Sequence, residues 1–197
     1  MALSSWRVTT GDHAVADAVA RTYGGVIQTA ESERGFGIEV LTCSDHIPVV
    51  LGGARAVSLR MVLKAGDEVF HVCDGGRLLE PADKHGACCG CAPTFSERKV
   101  AARSGRGPRP EVRTDFRLAD MPEAGSFFLT SSSWDLAESL TGLAGALDDV
   151  GGAALCQLRL ERVEFATLSG TQVSYRRPVI EVEGRAVAGL GGFALAA

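Results

Sequence analysis

Hydrophobic residues recur with a helical period in two segments of the chain. In residues 11–25, Val15, Val19 and Tyr23 follow one another at intervals of four and therefore share one helix face. In residues 131–152 a longer stripe of leucines faces one side and consists of Leu136, Leu140, Leu143 and Leu147. The pattern predicts two principal helices.

Polar residues and a glycine mark the expected ends of these helices. Thr10 or Asp12 is placed to cap the first helix. Ser132 and Asp135 have capping-box spacing at the start of the second helix, and Gly151 is its expected end. These signals support a helix in both segments.

Alternating or continuous apolar runs predict strands in the rest of the chain. They cover residues 35–42, 47–53, 56–76, 112–131, 155–165 and 171–182, of which 56–76 and 112–131 each contain two strands around a turn. In the first of these hairpins Val69, His71 and Cys73 alternate, so the His71 and Cys73 side chains point to the same face at a strand end. Pro178 removes a hydrogen-bond donor and is expected at an edge or a bulge.

The order of these elements predicts the fold class. Helix, strands, an irregular stretch, strands, helix and strands indicate an α+β fold with a mainly antiparallel sheet instead of βαβ units. We expect a single domain over residues 1–197, with a Cys- and Arg-rich, zinc-binding insertion at residues 74–110, where periodicity is lost. Residues 184–197 are expected to form a flexible tail.

Composition and charge limit the classes of protein and the cellular compartments that fit this chain. Hydrophobic residues make up 46% of the chain, which is enough for a core, and the formal net charge of −4 gives no global reason to coat nucleic acid. No apolar run is long enough to span a membrane, and the start MALSSWRVTTGD does not resemble a signal peptide. We therefore expect a cytoplasmic protein, where clustered cysteines are more often metal ligands or redox groups than disulfides.

Four of the six cysteines lie in one segment, HVCDGGRLLEPADKHGACCGC, at residues 71–91. Cys88 and Cys91 form a C-x2-C pair, and Cys89 and Cys91 form the alternative C-x-C pair. Either short loop lets two thiolates bind one ion, and Cys73 at its strand end can supply a third. The segment therefore predicts a structural zinc site that stabilises a loop too polar to fold alone.

The fourth ligand of a tetrahedral zinc stays open at this stage. The ligands predicted from the sequence are Cys73, Cys88, Cys89, Cys91 and His85, with His71 as a further alternative for the fourth position. Free cysteines beside an exposed loop are the main alternative to a metal site, and a redox pair is a third. Cys43 and Cys156 lie in strand patterns and are expected in the core.

Catalytic zinc fits the pattern poorly. A zinc deaminase needs a glutamate soon after its first ligand and a proline before its C-x2-C pair, whereas Asp74 follows Cys73 and no proline precedes Cys88. Four protein ligands would also leave no open position for water. His13 and His46 have no nucleophile nearby in sequence, so we expect structural roles for both.

An arginine-rich stretch at residues 98–117 is the second unusual feature. Its centre, RSGRGPRP, is expected to be flexible. Either phosphate binding or a solvated loop explains such a stretch, but aromatic residues are not interleaved with it, so a platform for stacked bases is not expected. Trp134 at the start of the second helix is expected in the core.

Several segments occur in an order and spacing that suggest a family. They are GIEVLTCSDHIPVVL, the strand pair ending in FHVCDGG, the CCGC that follows, GSFFLTSSSWDLAESLTGL and VSYRRPVIEV, over roughly residues 5–183. Together they resemble the Gp3-like family of actinobacterial phages, the phiC31-type recombination directionality factors.

The resemblance implies a non-enzymatic protein that binds a large serine integrase, through the coiled-coil region of the integrase. It implies that integration (attB × attP) is suppressed and excision (attL × attR) is allowed, while the integrase performs all strand cleavage. DNA is then engaged only indirectly, through the integrase. Such a factor must bind one arrangement of integrase subunits better than another, or it shifts nothing.

Two other functions are consistent with parts of the sequence. A zinc-ribbon-like nucleic-acid-binding regulatory protein would place the arginines of residues 98–117 on phosphates, and its DNA affinity would fall steeply with salt. A zinc hydrolase or deaminase would need an open metal position beside a carboxylate, which a metal with four protein ligands excludes.

Overall fold

The computed structural model describes residues 5–32, 35–167, 169–189 and 192–196. Its helices and strands in chain order are β1 (Arg7–Thr10), α1 (His13–Tyr23), β2 (Val26–Ser32), β3 (Gly35–Leu41), β4 (His46–Leu51), β5 (Val57–Ala65), β6 (Glu68–Cys73), β7 (Leu78–Glu80), α2 (Phe95–Arg103), β8 (Arg109–Leu118), β9 (Ser126–Ser131), α3 (Trp134–Val150), β10 (Ala154–Ala166), β11 (Gln172–Gly189) and β12 (Gly192–Leu195). The predicted α+β class with mainly antiparallel sheets is confirmed, and the described residues contain three α-helices where the sequence predicts two principal ones.

Both predicted helices are present, with the predicted faces turned inward. Val19 and Tyr23 of α1 are buried, and the Asp12 side chain caps the helix by accepting a hydrogen bond from the Ala14 amide at 2.8 Å. All four leucines of the predicted stripe are buried in α3. The N-cap of α3 is Ser133 instead of Ser132, and Gly151 ends the helix in the left-handed conformation, as predicted.

The third helix, α2, lies in the segment where the sequence analysis predicts no regular structure. A capping box starts it: the Glu97 amide donates to the Thr94 hydroxyl, and the Thr94 amide donates to the Glu97 carboxylate. Ala102 is the only residue of this helix that is buried. A nine-residue helix with one small buried side chain shows no apolar stripe, so hydrophobic periodicity cannot reveal it.

The chain forms two compact units, each assembled from separate parts of the sequence. The single domain over residues 1–197 stays a prediction. Unit 1 comprises Met1–Val50, Arg117–Gly125 and Leu155–Ala197. Unit 2 comprises Leu51–Phe116 and Ser126–Ala154. All residues of the predicted insertion at 74–110 belong to unit 2.

Unit 1 contains a three-stranded sheet of order β1-β3-β2, with α1 packed against it. Ile38, Val40 and Thr42 are buried, which confirms the alternation predicted for residues 35–42. The same alternation turns Cys43 outward, so the expectation that Cys43 lies in the core is wrong, whereas Cys156 is buried as expected. In the same unit β12, β11, β10 and β4 lie side by side, and Val49 of β4 pairs with Leu118.

The described part of the predicted tail lies in strands. Residues 186–189 of β11 pair with residues 192–195, and Phe193 packs against a buried cluster of Val50, Ala119 and Leu155. This apolar contact is long-range, which is why the local sequence of small residues and glycines does not indicate it. Residues 190, 191 and 197 of that segment lie outside the described residues.

Unit 2 holds a sheet in which β8, β5, β6 and β7 are neighbours and β9 pairs with β8. Helix α3 packs on β5, and α2 contacts α3. Met61, Val72 and Val112 are completely buried and belong to the hydrophobic core. Among the described residues, no helix is both long and apolar enough to cross a bilayer.

Candidate metal centre

Strand β6 places two candidate ligands on one face of the sheet. His71 pairs with Leu63 of the antiparallel β5, and Cys73, two residues further along β6, pairs with Met61, two residues earlier in β5. Since side chains alternate along a strand, His71 and Cys73 project from the same side, as the sequence analysis predicts. Cys73 is completely buried at the end of the strand, and His71 is half-buried.

The chain turns sharply after Cys73. The Asp74 carboxylate accepts hydrogen bonds from the amides of Arg77 and Gly76, at 2.7 and 2.8 Å, and Gly75 adopts a φ of 100°. The hydrogen bond from Arg77, then that from Gly76, holds the pKa of Asp74 below its usual range. This turn directs the following residues back toward the strand end.

Backbone hydrogen bonds then bring the C-x-C sequence to the turn. Leu78 donates to Ala87, Gly86 donates to Leu78, and the Cys89 amide donates to the Gly76 carbonyl at 3.0 Å. Gly90 has a φ of 71°, a conformation that lets the chain reverse between Cys89 and Cys91. Both thiols therefore face the end of β6.

Four side chains converge there and are called the His/Cys group below: His71, Cys73, Cys89 and Cys91. One ligand atom from each lies within 4.8 Å of all the others. Cys91 Sγ is 3.6 Å from Cys73 Sγ and 3.6 Å from His71 Nε2. The Sγ–Sγ separation is far longer than a disulfide bond of about 2.05 Å. The group could hold a metal ion.

The spacing of these atoms agrees with one tetrahedral ion. Thiolates bound to zinc at about 2.3 Å lie about 3.8 Å apart when the coordination is tetrahedral, and a sulfur and an imidazole nitrogen lie slightly closer. The observed 3.6 Å separations are near these values. The donor set of three sulfurs and one imidazole nitrogen is also one that structural zinc sites use.

Burial and the hydrogen bonds among the neighbouring cysteines set the pKa directions of the three thiols in the His/Cys group. Burial raises the pKa of Cys73 to about 12 and also raises the pKa of Cys91. Burial alone would raise the pKa of Cys89 as well, but hydrogen bonds from the Cys91 amide and from the Cys91 and Cys73 thiols hold it below its ordinary value. A bound cation would replace the protons that keep Cys73 and Cys91 neutral.

Arg98 of α2 donates hydrogen bonds to both loops that carry the candidate ligands. Its guanidinium donates to the carbonyls of Ala92 at 2.6 Å, Gly75 at 2.7 Å and Pro93 at 3.3 Å. It also stacks over the Phe95 ring, with 5.3 Å between Cζ and the ring centroid. Gly75 lies in the turn after Cys73, and Ala92 directly follows Cys91. The Arg98 side chain therefore connects the two segments that carry these cysteines. No local sequence signal indicates this role, because only folding brings the distant Gly75 carbonyl to Arg98.

The structure brings together three of the five residues in the predicted ligand set: Cys73, Cys89 and Cys91. His71, the further alternative for the fourth position, completes the His/Cys group. Cys88 and His85 are exposed and outside it. Cys88 bridges to Arg77 through its backbone, and its neighbour Cys89 faces the group; since adjacent side chains of an extended chain point in opposite directions, Cys88 faces away.

The arginines of residues 98–117 do not lie in a flexible loop. They are carried by α2, by the turn after it and by β8. Arg98 is engaged within the ligand loops, Arg113 pairs with Asp115 at 2.8 Å, and Arg117 donates to the Pro122 carbonyl. His13 and His46 are both exposed, and Trp134 is half-buried.

Comparison with known protein families shows which family the chain belongs to. The family described as Gp3-like, recombination directionality factor-like, matches residues 1–183. The chain belongs to the Gp3-like family. The match confirms the resemblance carried by the quoted segments, and members of this Gp3-like family are typically non-catalytic regulators. No solved structure matches this Gp3-like chain.

The extent of the match includes the whole His/Cys group. All its ligands lie between residues 71 and 91, well inside residues 1–183. Strand β12, at Gly192–Leu195, lies beyond the matched residues. The His/Cys group therefore lies within the part of the chain that matches the Gp3-like family, and β12 lies outside that part.

Proposed function

We propose that this protein is a recombination directionality factor that binds a phage large serine integrase and switches it from integration to excision. The observation that carries the proposal is the family match over residues 1–183. The protein would act without catalysis, in the cytoplasm of the bacterial host, and would reach DNA through the integrase. The protein would bind the coiled-coil region of the integrase.

Zinc is the metal that we propose for the His/Cys group, in a structural role. Bound there, zinc would join the end of β6 to the C-x-C turn and leave no open position for a reactive water. The chemistry of the donors supports this assignment, because three thiolates and an imidazole suit zinc better than the oxygen-preferring cations. A closed site of this kind agrees with a regulator that contributes shape instead of catalysis.

The switch would operate by differential binding. A factor that favours one arrangement of integrase subunits must bind that arrangement more tightly, and moving a two-state equilibrium from 1:99 to 99:1 requires about 5.5 kcal/mol of difference. Metal-stabilised loops would help by holding the docking surface in one conformation before the partner arrives, which lowers the entropy lost on binding.

A recombination assay with the cognate integrase tests the proposal. We expect the protein to stimulate attL × attR recombination and to suppress attB × attP recombination when it is added to purified integrase. The heat-denatured protein is the matched control. Equal rates for both reactions with and without the folded protein would rule the proposed function out.

A further inference from the structure

A cleft of about 380 Å³ opens in unit 2 beside the end of α2. Its walls are built from the end of β5, the turn after α2 and the start of β8. Val62, Ala102 and Pro110 supply buried apolar surface, while the exposed Lys64 and Arg109 supply positive charge. This cleft does not include any member of the His/Cys group.

The turn that forms one wall is rigid, although its sequence, RSGRGPRP, predicts flexibility. At the end of α2 the Arg106 amide donates to the Ala101 carbonyl at 3.0 Å, and the Gly105 amide donates to Ala102 at 3.1 Å, with Gly105 at a φ of 73°. This pair of bonds is a Schellman motif, which satisfies the last carbonyls of a helix. The backbone between α2 and β8 is therefore fixed.

Close packing holds the next residue as well. A Cβ atom at Gly107 would lie 2.7 Å from Ala101 Cβ and 3.1 Å from the Ala101 carbonyl carbon, so glycine is required for this approach. The arginines before, within and after the turn are thereby presented to solvent from an ordered backbone. They are Arg103, Arg106 and Arg109, at intervals of three residues.

Lys64 and Arg109 line the cleft, and Arg103 and Arg106 lie on the helix end and the turn beside it; the cleft together with these four cations is called the basic cleft below. None of the four has a carboxylate partner among the described residues. The Arg106 guanidinium donates to the Ser104 hydroxyl at 3.2 Å. Elsewhere in unit 2, Arg60 pairs with Glu80 at 3.2 Å. One half-buried carboxylate, Glu111, also lines the cleft. The two lining cations and the two cations beside them outnumber this one acid, which makes the basic cleft a site for an anionic partner.

The surroundings favour an acidic protein segment over DNA. A DNA backbone gains nothing from the partly exposed Leu63 inside a concave site, whereas a peptide with an apolar side chain beside carboxylates can pack that side chain there.

We propose that the basic cleft docks an acidic segment of the integrase that also carries an apolar side chain. This inference rests on the proposed function, because it names the chemistry of the partner surface. The rigid turn presents its cations without further ordering, so little conformational entropy is lost when they meet carboxylates. Docking should therefore be sensitive to charge reversal and to salt.

The first test measures binding to the cognate integrase. Arg106→Glu combined with Arg109→Glu should weaken binding by about ten- to a hundredfold at low salt, and the difference should shrink as salt increases. The control carries the same charge change at Arg21→Glu and Arg55→Glu, two exposed arginines outside the cleft, and should bind like wild type. Melting temperature and zinc content establish that both variants are folded.

The second test uses the protein without integrase. A fluorescein-labelled peptide of repeated Glu-Glu-Leu triplets should bind wild type and the control variant but not the cleft variant. Binding of a DNA duplex without an attachment site should not differ between wild type and the cleft variant. If wild type binds the DNA instead of the peptide, and the cleft variant loses that DNA binding, the inference is overturned and the cleft is assigned to phosphate.

The two tests separate the inference from the function on which it rests. If the cleft variant binds integrase as wild type does, the docking site is wrong and the directionality role stands. If wild type does not bind integrase at all, the directionality role fails, and the peptide measurement alone decides the chemistry of the cleft: selective peptide binding supports it and no peptide binding overturns it.

Discussion

At the scale of single residues, Cys91 has the central place in the His/Cys group. Its sulfur lies 3.6 Å from both Cys73 Sγ and His71 Nε2, so it is close to both candidate ligands that β6 supplies. Cys88, three residues earlier, has the same chemistry and an exposed side chain. The pair offers a direct comparison between a thiol inside the site and one outside it.

Substitution of the ligands should distinguish these positions. We expect Cys91→Ser and His71→Ala to weaken zinc binding by at least about a hundredfold, because each removes one of four ligands. Cys88→Ser and His85→Ala, the matched controls, should keep one zinc per chain in native mass spectrometry. Zinc loss in either control, with retention in the Cys91 or His71 variant, would show that the structure identifies the wrong ligand set.

At the scale of elements, α2 supports the His/Cys group through Arg98. Replacing Arg98 with alanine removes three hydrogen bonds to the ligand loops and leaves the turn carbonyls of Gly75 and Ala92 without their donor. We expect a loss of roughly 2–4 kcal/mol in unfolding free energy and weaker zinc binding in a chelator competition. Lys99→Ala, the next residue on the same helix, is the control. Equal effects of the two substitutions would contradict the supporting role.

Glycines in two elements should respond in opposite directions to alanine. Gly142 is exposed within α3, and a Cβ there meets nothing within 4 Å, so Gly142→Ala should stabilise the helix by about 0.5–1 kcal/mol. Gly107→Ala would force a Cβ into Ala101 and should destabilise the protein by roughly 1–3 kcal/mol. Urea denaturation checks both. A stabilised Gly107 variant would show that the turn after α2 is loosely packed.

At the scale of the whole molecule, the effect of a metal should be confined to one unit. All four ligands belong to unit 2, and a bound metal would connect β6 with the C-x-C turn. Chelator should therefore raise amide hydrogen exchange in β6, β7 and α2, while α1 and β3 of unit 1 keep their protection. The Cys91→Ser variant should show the raised exchange without chelator. Uniform loss of protection in both units would refute a local role.

The sequence by itself determined the features that depend on near neighbours. The leucine stripe of α3 follows from helical spacing, and the common direction of His71 and Cys73 follows from the alternation of a strand. The family resemblance also came from the order of short segments, and the match over residues 1–183 confirms it. None of these features requires knowledge of distant contacts.

Only the tertiary structure decided which residue stands beside the three thiols. The sequence left Cys88, His85 and His71 open for the fourth position, but the hydrogen bond from Cys89 to Gly76 brings the C-x-C turn to the end of β6, beside His71. The place of Arg98 between the ligand loops and the packing of Phe193 were likewise decided there. The physical reason is common to all three: their stability comes from contacts with residues distant in the chain, which local periodicity and propensity do not encode.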